Sequence, residues 1–417
     1  MVTREENELM TRVEGDAPLG RMMREHYWIP FALSENLVPG SATTPVRLFG
    51  RNYIAFRSED GRVGFFDELC PHRRASLLLS RIEPNGVRCI YHGWKLDVSG
   101  QVVEAPTQLT RHDQFCANVR VTHFPVHEAG GMAWVWLAGP EAPPFPDLPF
   151  TAQHGVRTAH TFSVVPCNWL QGFEGGFDSV HGPILHQSII RDMVREKGES
   201  MDTGGVQFTL ASPPHYETEA TPYGLRAASL RPAGDGRTYV RTAHLFFPLV
   251  IIVPNGYAGL THIFAFAPVD DSHHLLFFGN YGDSPMTERE VAGLRDGFDA
   301  DPHNYVSLQG GKAERWGQDR TLMRSGNFTG IARSAIDEDA VVQVSMGSLV
   351  DRTKENLSSS DVGIAHARRL LLDALASFEA GKTPPGSALT SEPVRLPQPL
   401  EALLEAGESW SALQPVV

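Results

Sequence analysis

Cysteine is scarce, with four residues in a chain of 417. So few thiols cannot build a disulfide framework, and a chain this long with 41% hydrophobic residues fills a sizeable core without one. Long apolar runs are also missing: the longest, Leu245 to Val253, is broken by Pro248 and is too short to span a bilayer. Positive charge is in the minority, with 36 Lys and Arg against 49 Asp and Glu and a net charge of −13. That balance argues against nucleic acid or an anionic membrane as the main partner, although one local arginine can still meet an anionic small molecule. The opening Met1-Val2-Thr3-Arg4-Glu5-Glu6-Asn7-Glu8 is acidic and polar, and no apolar h-region follows it. The expectation is a globular cytoplasmic protein. No internal repeat is present, nor a Gly-rich dinucleotide fingerprint following a strand and opening a helix, so a bound nicotinamide is not expected.

Two of the four cysteines stand in Cys70-Pro71-His72 and Cys89-Ile90-Tyr91-His92-Gly93-Trp94. Each arm offers one sulfur and one imidazole. Two Cys on one iron and two His on the other describe a Rieske [2Fe–2S] centre. A structural zinc site is the rival, but zinc motifs usually pair Cys with Cys and His with His. Pro71 and Gly93 suit turns that bring backbone amides toward the sulfurs, and Trp94 suits a cover against solvent. Cys116 and Cys167 read as buried thiols.

The pattern around these arms is β-like. Val46 to Phe56 alternates imperfectly, Asp60-Gly61 signals a hairpin before Val63 to Phe66, and Lys95 to Val103 reads as two short strands about Ser99-Gly100. A short helix is expected between Pro18 and Pro30. The Pro-dense Gly139 to Pro146 marks a boundary. Beyond it, strands are expected at Tyr239 to Phe247, Leu260 to Ala267 and Leu275 to Asn280, with helices at Thr287 to Phe298 and Asp361 to Ala380. The fold class is α+β.

The richest stretch of the second part, Asn168 to His186, contains Glu174-x3-Asp178-x2-His181-x4-His186. On one helix, Glu174, Asp178 and His181 share a face. Gly182-Pro183 is expected to break that helix and turn His186 back toward His181. Two imidazoles and a carboxylate leave open positions on a metal, as in non-haem Fe(II) oxygenases. Helix-end histidines satisfied by hydrogen bonds are the alternative.

With both motifs in one chain, the sequence resembles the α-subunits of Rieske non-haem iron ring-hydroxylating oxygenases, nearly end to end. Gln318 to Met323 and Gly347 to Thr353 resemble the phthalate dioxygenase and phenoxybenzoate dioxygenase branch. The resemblance implies an N-terminal segment (1–29) packing with the catalytic part, a Rieske domain (30–148), and a catalytic domain (149–417) with a curved antiparallel sheet flanked by helices, of helix-grip type. It implies a [2Fe–2S] cluster on Cys70, His72, Cys89 and His92, and a mononuclear Fe(II) on His181, His186 and Asp339. Asp337, Asp351 and Asp361 rival Asp339 as the third ligand. Asp178 is implied to sit between His181 and His92 of a neighbouring subunit, hence a homotrimer or stacked trimers. Glu174 reads equally as a further acid behind the metal or a solvated helix residue.

Such a chain takes O₂ as co-substrate and draws electrons from NAD(P)H only indirectly, through a separate reductase with a flavin and a plant-type [2Fe–2S] cluster. The branch implies an aromatic carboxylate substrate, dihydroxylated or monooxygenated. Arg241, mid-strand among apolar neighbours, and Arg226 are the candidate substrate contacts, with an internal salt bridge as the alternative. O-dealkylation of an aryl ether and a Rieske electron carrier with a vestigial second site remain competing readings.

Overall fold

A computed structural model describes residues 2–151, 157–196, 214–234, 236–254, 260–282, 288, 310–331, 334–387 and 399–413. Its contacts divide into two units: Val13–Asp16 with Gly20–Phe145, and Met1–Arg12 with Ala17–Leu19 and Pro146–Val417. The helix expected at Thr287 to Phe298 lies almost wholly outside the described residues.

The first unit is built from three small antiparallel sheets. Strands β1 (Trp28–Leu33), β10 (Met132–Trp136) and β9 (Val126–Ala129) form one, in that order. A second contains β2 (Thr44–Leu48), β3 (Arg51–Arg57) and β4 (Val63–Asp67), and a third β5 (Arg81–Glu83), β6 (Gly86–Arg88), β7 (Lys95–Asp97) and β8 (Val102–Glu104). The imperfect alternation of Val46 to Phe56 has a simple cause: the stretch is two strands, and the turn at Phe49-Gly50 resets the register between them. Ile54, Phe56, Phe66, Val87 and Leu96 pack into a core that also contains Cys70, Cys89 and Trp94.

The second unit is organised on one antiparallel sheet in the order β11-β17-β16-β15-β14-β13-β12. These strands are β11 (Arg157–Val165), β12 (His215–Thr221), β13 (Gly224–Pro232), β14 (Thr238–Phe246), β15 (Val250–Pro254), β16 (Thr261–Asp270) and β17 (His273–Gly282). A further strand, β18 (Glu401–Leu404), pairs with β14. Helices from distant parts of the chain accompany the sheet: α1 (Arg4–Thr11), α4 (Trp169–Phe177), α8 (Ala335–Ser345) and α9 (Val362–Glu379), with α5 (Gly182–Leu185), α6 (Gln187–Glu196) and α7 (Arg320–Arg324) between, whereas α3 (His112–Ala117), and α2 (Pro18–His26) from Gly20 on, belong to the first unit. The α+β expectation holds.

Helix α4 lies unusually close to the sheet because glycines face it. A Cβ on Gly172 would come within 2.5 Å of His274 and one on Gly176 within 2.8 Å of Phe266. Phe266, buried beneath the helix, contributes on the order of 2–3 kcal/mol of apolar burial. The close approach fixes the height of α4 above the sheet, and with it the residues that follow the helix.

Candidate metal centres

The two cysteine arms fold into loops of the same hydrogen-bond pattern. Arg74 N–H donates to the Cys70 carbonyl at 3.0 Å and Cys70 N–H to Ala75 at 2.9 Å; Gly93 N–H donates to Cys89 at 3.0 Å and Cys89 N–H to Trp94 at 2.9 Å. The second turn needs a left-handed residue, and Gly93 supplies it at φ +74. Both sulfurs are buried. Burial, with the neighbouring Cys89 adding to it, pushes the Cys70 thiol up to about 11, while the backbone N–H groups of His72 and Arg73 pull the other way.

The rings of His72 and His92 stand 4.5 Å apart, and His72 stacks on Trp94 at 4.4 Å and 8°. Trp94 is itself fixed by its indole N–H, which donates to Thr107 at 2.9 Å. Two adjacent buried sulfurs resist becoming thiolates together unless a cation lies between them, so the donor set fits a metal group. Ligands of one tetrahedral zinc would stand within about 4 Å of one another. Among the described residues the only donors that close to within 4.8 Å as a set of three or more are His181, His186 and Asp339. The wider spread of Cys70, His72, Cys89 and His92 suits a two-iron cluster.

At the second centre the expected single helix is interrupted. Helix α4 stops at Phe177, and Asp178 is extended, with ψ 116. The cause is local: Asp178 Oδ1 accepts the N–H of Val180 at 2.7 Å, closing a turn that competes with the helix, and Gly175-Gly176 hold the last turn weakly. Glu174 therefore does not share a face with Asp178 and His181. Gly182-Pro183, expected to break a helix, instead begins one. His181 caps α5, Pro183 sits in its first turn, and His186 closes it. The two imidazoles so bracket a single short helix, with ring centroids 5.3 Å apart.

Asp339, on α8, reaches both. Its Oδ1 lies 3.3 Å from His181 Nε2 and 3.2 Å from His186 Nε2. The other nitrogen of each ring meets a different carboxylate: His181 Nδ1 faces Asp178 Oδ2 at 3.3 Å, and His186 Nδ1 faces Glu338 Oε2 at 2.7 Å. Burial opposes protonation of both rings, yet the Asp339 charge and these carboxylate contacts outweigh it, holding His181 up at about 10 and His186 at about 9. Burial likewise works against ionising Asp339, and the two imidazoles overcome it, keeping its carboxyl well below the usual range. The pocket formed by these three side chains is one that favours positive charge, and its converging atoms fit a divalent ion.

The rival acids are occupied elsewhere. Asp337 exchanges hydrogen bonds with Ser334 at the start of α8, Asp351 caps the turn at Arg352–Lys354, and Asp361 forms a capping box with Ser358. Glu174 is neither solvated nor beside the metal site: Arg352 and Arg368 donate to it at 2.8 and 2.6 Å in a buried network that includes Glu355.

Of the two arginines, Arg241 shares the sheet face on which α4 packs, because it alternates with Leu245, which opposes Ile251. Its Nε donates to Glu401 at 2.9 Å and its Nη2 to the carbonyl of Pro254. Arg226 is not brought there. It opposes His244 on the other face, where it pairs with Glu219 at 2.6 Å and lies over Trp410 at 4.8 Å. The role of Glu338 behind His186 was missed in the sequence, where the acid appears only as the neighbour of Asp339. Its signal, an acid one residue before the metal-facing carboxylate, becomes legible only once Thr329 and His186 are seen against it.

The chain is similar to known proteins along nearly its whole length. Residues 27–125 match the Rieske [2Fe-2S] domain, and residues 135–416 match the LigXa C-terminal domain like family. The chain is 37% identical to the phthalate 4,5-dioxygenase oxygenase subunit of Pseudomonas putida, over 99% of its own length and 95% of that protein. It is 31% identical to the 3-chlorobenzoate-3,4-dioxygenase oxygenase subunit of Comamonas testosteroni, over 93% and 92% of the two chains. Among solved structures, dicamba monooxygenase bound to dicamba shares the fold with a TM-score of 0.59 at 17% identity, covering 86% of this chain and 99% of that one. No helix among the described residues is long and apolar enough to cross a membrane.

Proposed function

This chain belongs to the Rieske oxygenase subunits, and on that premise we propose that it is the terminal oxygenase of a multicomponent system that hydroxylates an aromatic carboxylate with O₂. The observation that carries the reading is the approach of both His181 Nε2 and His186 Nε2 to within 3.3 Å of Asp339 Oδ1 in a chain that also has a Rieske domain. When bound, Fe(II) at that triad supplies open positions for O₂ beside the substrate, and the cluster at Cys70, His72, Cys89 and His92 supplies electrons one at a time.

The side chains do the rest. Asp178 and Glu338 hold the Nδ1 protons of His181 and His186, so that each Nε2 lone pair faces the metal. By the family resemblance Asp178 also meets His92 of a neighbouring copy in a trimer, which would couple one chain's cluster to the next chain's iron. Arg241 supplies the carboxylate contact. Two of its nitrogens are taken by Glu401 and Pro254, and Nη1 has no bond among the described residues. Electrons come from NAD(P)H through a separate flavin and [2Fe–2S] reductase.

Two measurements test this together. Metal and sulfide analysis of the holoprotein is expected to give about three Fe and two acid-labile sulfides per chain. With a surrogate reductase, O₂-dependent product formation is expected from phthalate or 3-chlorobenzoate. Zinc without sulfide would sink the metal assignment; turnover confined to aryl ethers would replace ring hydroxylation by O-dealkylation.

A further inference from the structure

Helix α4 covers only part of the sheet face it packs on. Gly172 and Gly176 touch His274, Phe266 and Ile251. Farther along β16 and β17 the same face carries Phe264, Phe278, His262 and Asn280, because opposed residues of antiparallel strands share a face and side chains alternate along each strand. The helix crosses this face and leads directly into Asp178 and His181. The portion beyond α4 is thus a wall on the face of the sheet that leads to Asp178 and His181.

That wall is aromatic with one polar group set into it. Phe264 and Phe278 have ring centroids 5.1 Å apart, and His262 lies 6.1 Å from the first and 5.3 Å from the second. Burial, and then the nearby charge of Arg241, hold His262 down at about 4, so its imidazole is neutral near pH 7. Asn280, directly opposite in register, hydrogen-bonds the ring. His262 Nδ1 is nonetheless buried with no partner among the described residues. The hydroxyl of Thr161, which opposes Phe278 on β11, is buried and without a partner in the same way. Buried polar atoms are ordinarily satisfied, and two left open on one apolar wall of the face that α4 crosses are what a ligand fills.

We propose that His262 is a specificity-determining residue: the substrate ring lies against Phe264 and Phe278, and His262 Nδ1 hydrogen-bonds an oxygen substituent of that ring. This rests on the oxygenase reading and adds to it a requirement that the Arg241 contact alone does not make. An oxygen at this end of the wall is recognised whether it belongs to a carboxylate or a hydroxyl, since a neutral imidazole bonds either. A ring without one leaves the Nδ1 unpaired and is discriminated against.

The test uses the full-length holoprotein and four probes: phthalate, benzoate, phenol and chlorobenzene. Binding is measured by equilibrium dialysis, and KM and kcat with a surrogate reductase where turnover occurs. For His262→Ala the expected result is about tenfold or greater loss of affinity for the oxygen-bearing rings, seen in KM with kcat nearly unchanged, and no change for chlorobenzene. His262→Gln, whose amide can bond the same oxygen, is expected to recover most of the loss. The Rieske absorption spectrum and iron content report on folding of each variant. Equal binding of the oxygen-bearing rings by wild type and His262→Ala overturns the proposal. Loss for phenol alone would keep the subsite and reject the carboxylate. Binding that depends on His262 without any oxidised product would keep the subsite and reject the oxygenase reading, and a wild type that binds none of the four rings rejects both.

Discussion

Glu338 Oε2 lies 2.7 Å from His186 Nδ1, and Glu338 Oε1 accepts the hydroxyl of Thr329 at 2.5 Å. Asp178 stands in the same relation to His181. Each imidazole is therefore oriented from behind by its own carboxylate, while a third, Asp339, meets both from the front. Because Glu338 and Asp339 are adjacent on α8, one turn of helix supplies an orienting acid and a metal-facing acid on neighbouring faces.

For Glu338→Gln we expect iron affinity at the triad to fall by about 10- to 100-fold, the usual size for a partner behind a ligand histidine. Anaerobic Fe(II) titration of the iron-stripped protein measures it. The amide keeps the shape but accepts the Nδ1 proton less strongly. An unchanged titration curve would show that His186 needs no orienting charge.

Asp339→Ala and Asp178→Asn separate binding from coupling. The first is expected to lose the mononuclear iron while the Rieske spectrum persists. The second is expected to retain both metals and slow reoxidation of the cluster in a single turnover. Iron retained in Asp339→Ala would send the search to Asp337 or Asp351; unaltered reoxidation in Asp178→Asn would remove the bridging role.

Glu174 is largely enclosed between Arg352 and Arg368, whose side chains are themselves nearly inaccessible. Removing the shared anion strands two guanidiniums, a loss of about 3–5 kcal/mol for a broken buried pair. Glu174→Gln is therefore expected to lower the urea midpoint of the catalytic unit markedly while leaving the Rieske unit's own signal at its normal midpoint. Coincident, unshifted transitions would mean that Glu355 alone suffices for the network.

Acid should weaken the second unit before the first. Burial holds His244 down at about 3 and His274 at about 4, below the ordinary 6.5. The sign follows directly: between pH 6.5 and about 4 the unfolded chain takes up protons on these residues and the folded chain does not, so stability falls as pH falls. Each histidine contributes up to about 1.4 kcal/mol per pH unit in that window. The urea midpoint measured from pH 7 to pH 5 is expected to decline, and His274→Asn to flatten the decline. An equal slope in wild type and variant would show that His274 stays neutral in neither state's favour.

Much of this protein was legible in its sequence because much of it is local. The two Cys and two His of the cluster lie on loops whose spacing alone groups them, and His181 and His186 are separated by a single short helix. The α+β class followed from runs such as Tyr239 to Phe247, found as β14, and Asp361 to Ala380, found as α9. What tertiary structure decided depends on contacts between distant residues, which leave no periodic trace. Four aspartates in 337–361 were equivalent as letters; three of them bond within their own turns, and one, Asp339, is carried to histidines more than 150 residues earlier. Glu174 looked like a partner of Asp178 because helical spacing placed them together, but a two-residue turn ended the helix and a pair of arginines from the C-terminal third claimed the acid. Sequence named the donors; burial, and the close seat of α4 on its glycines, determined which of them meet.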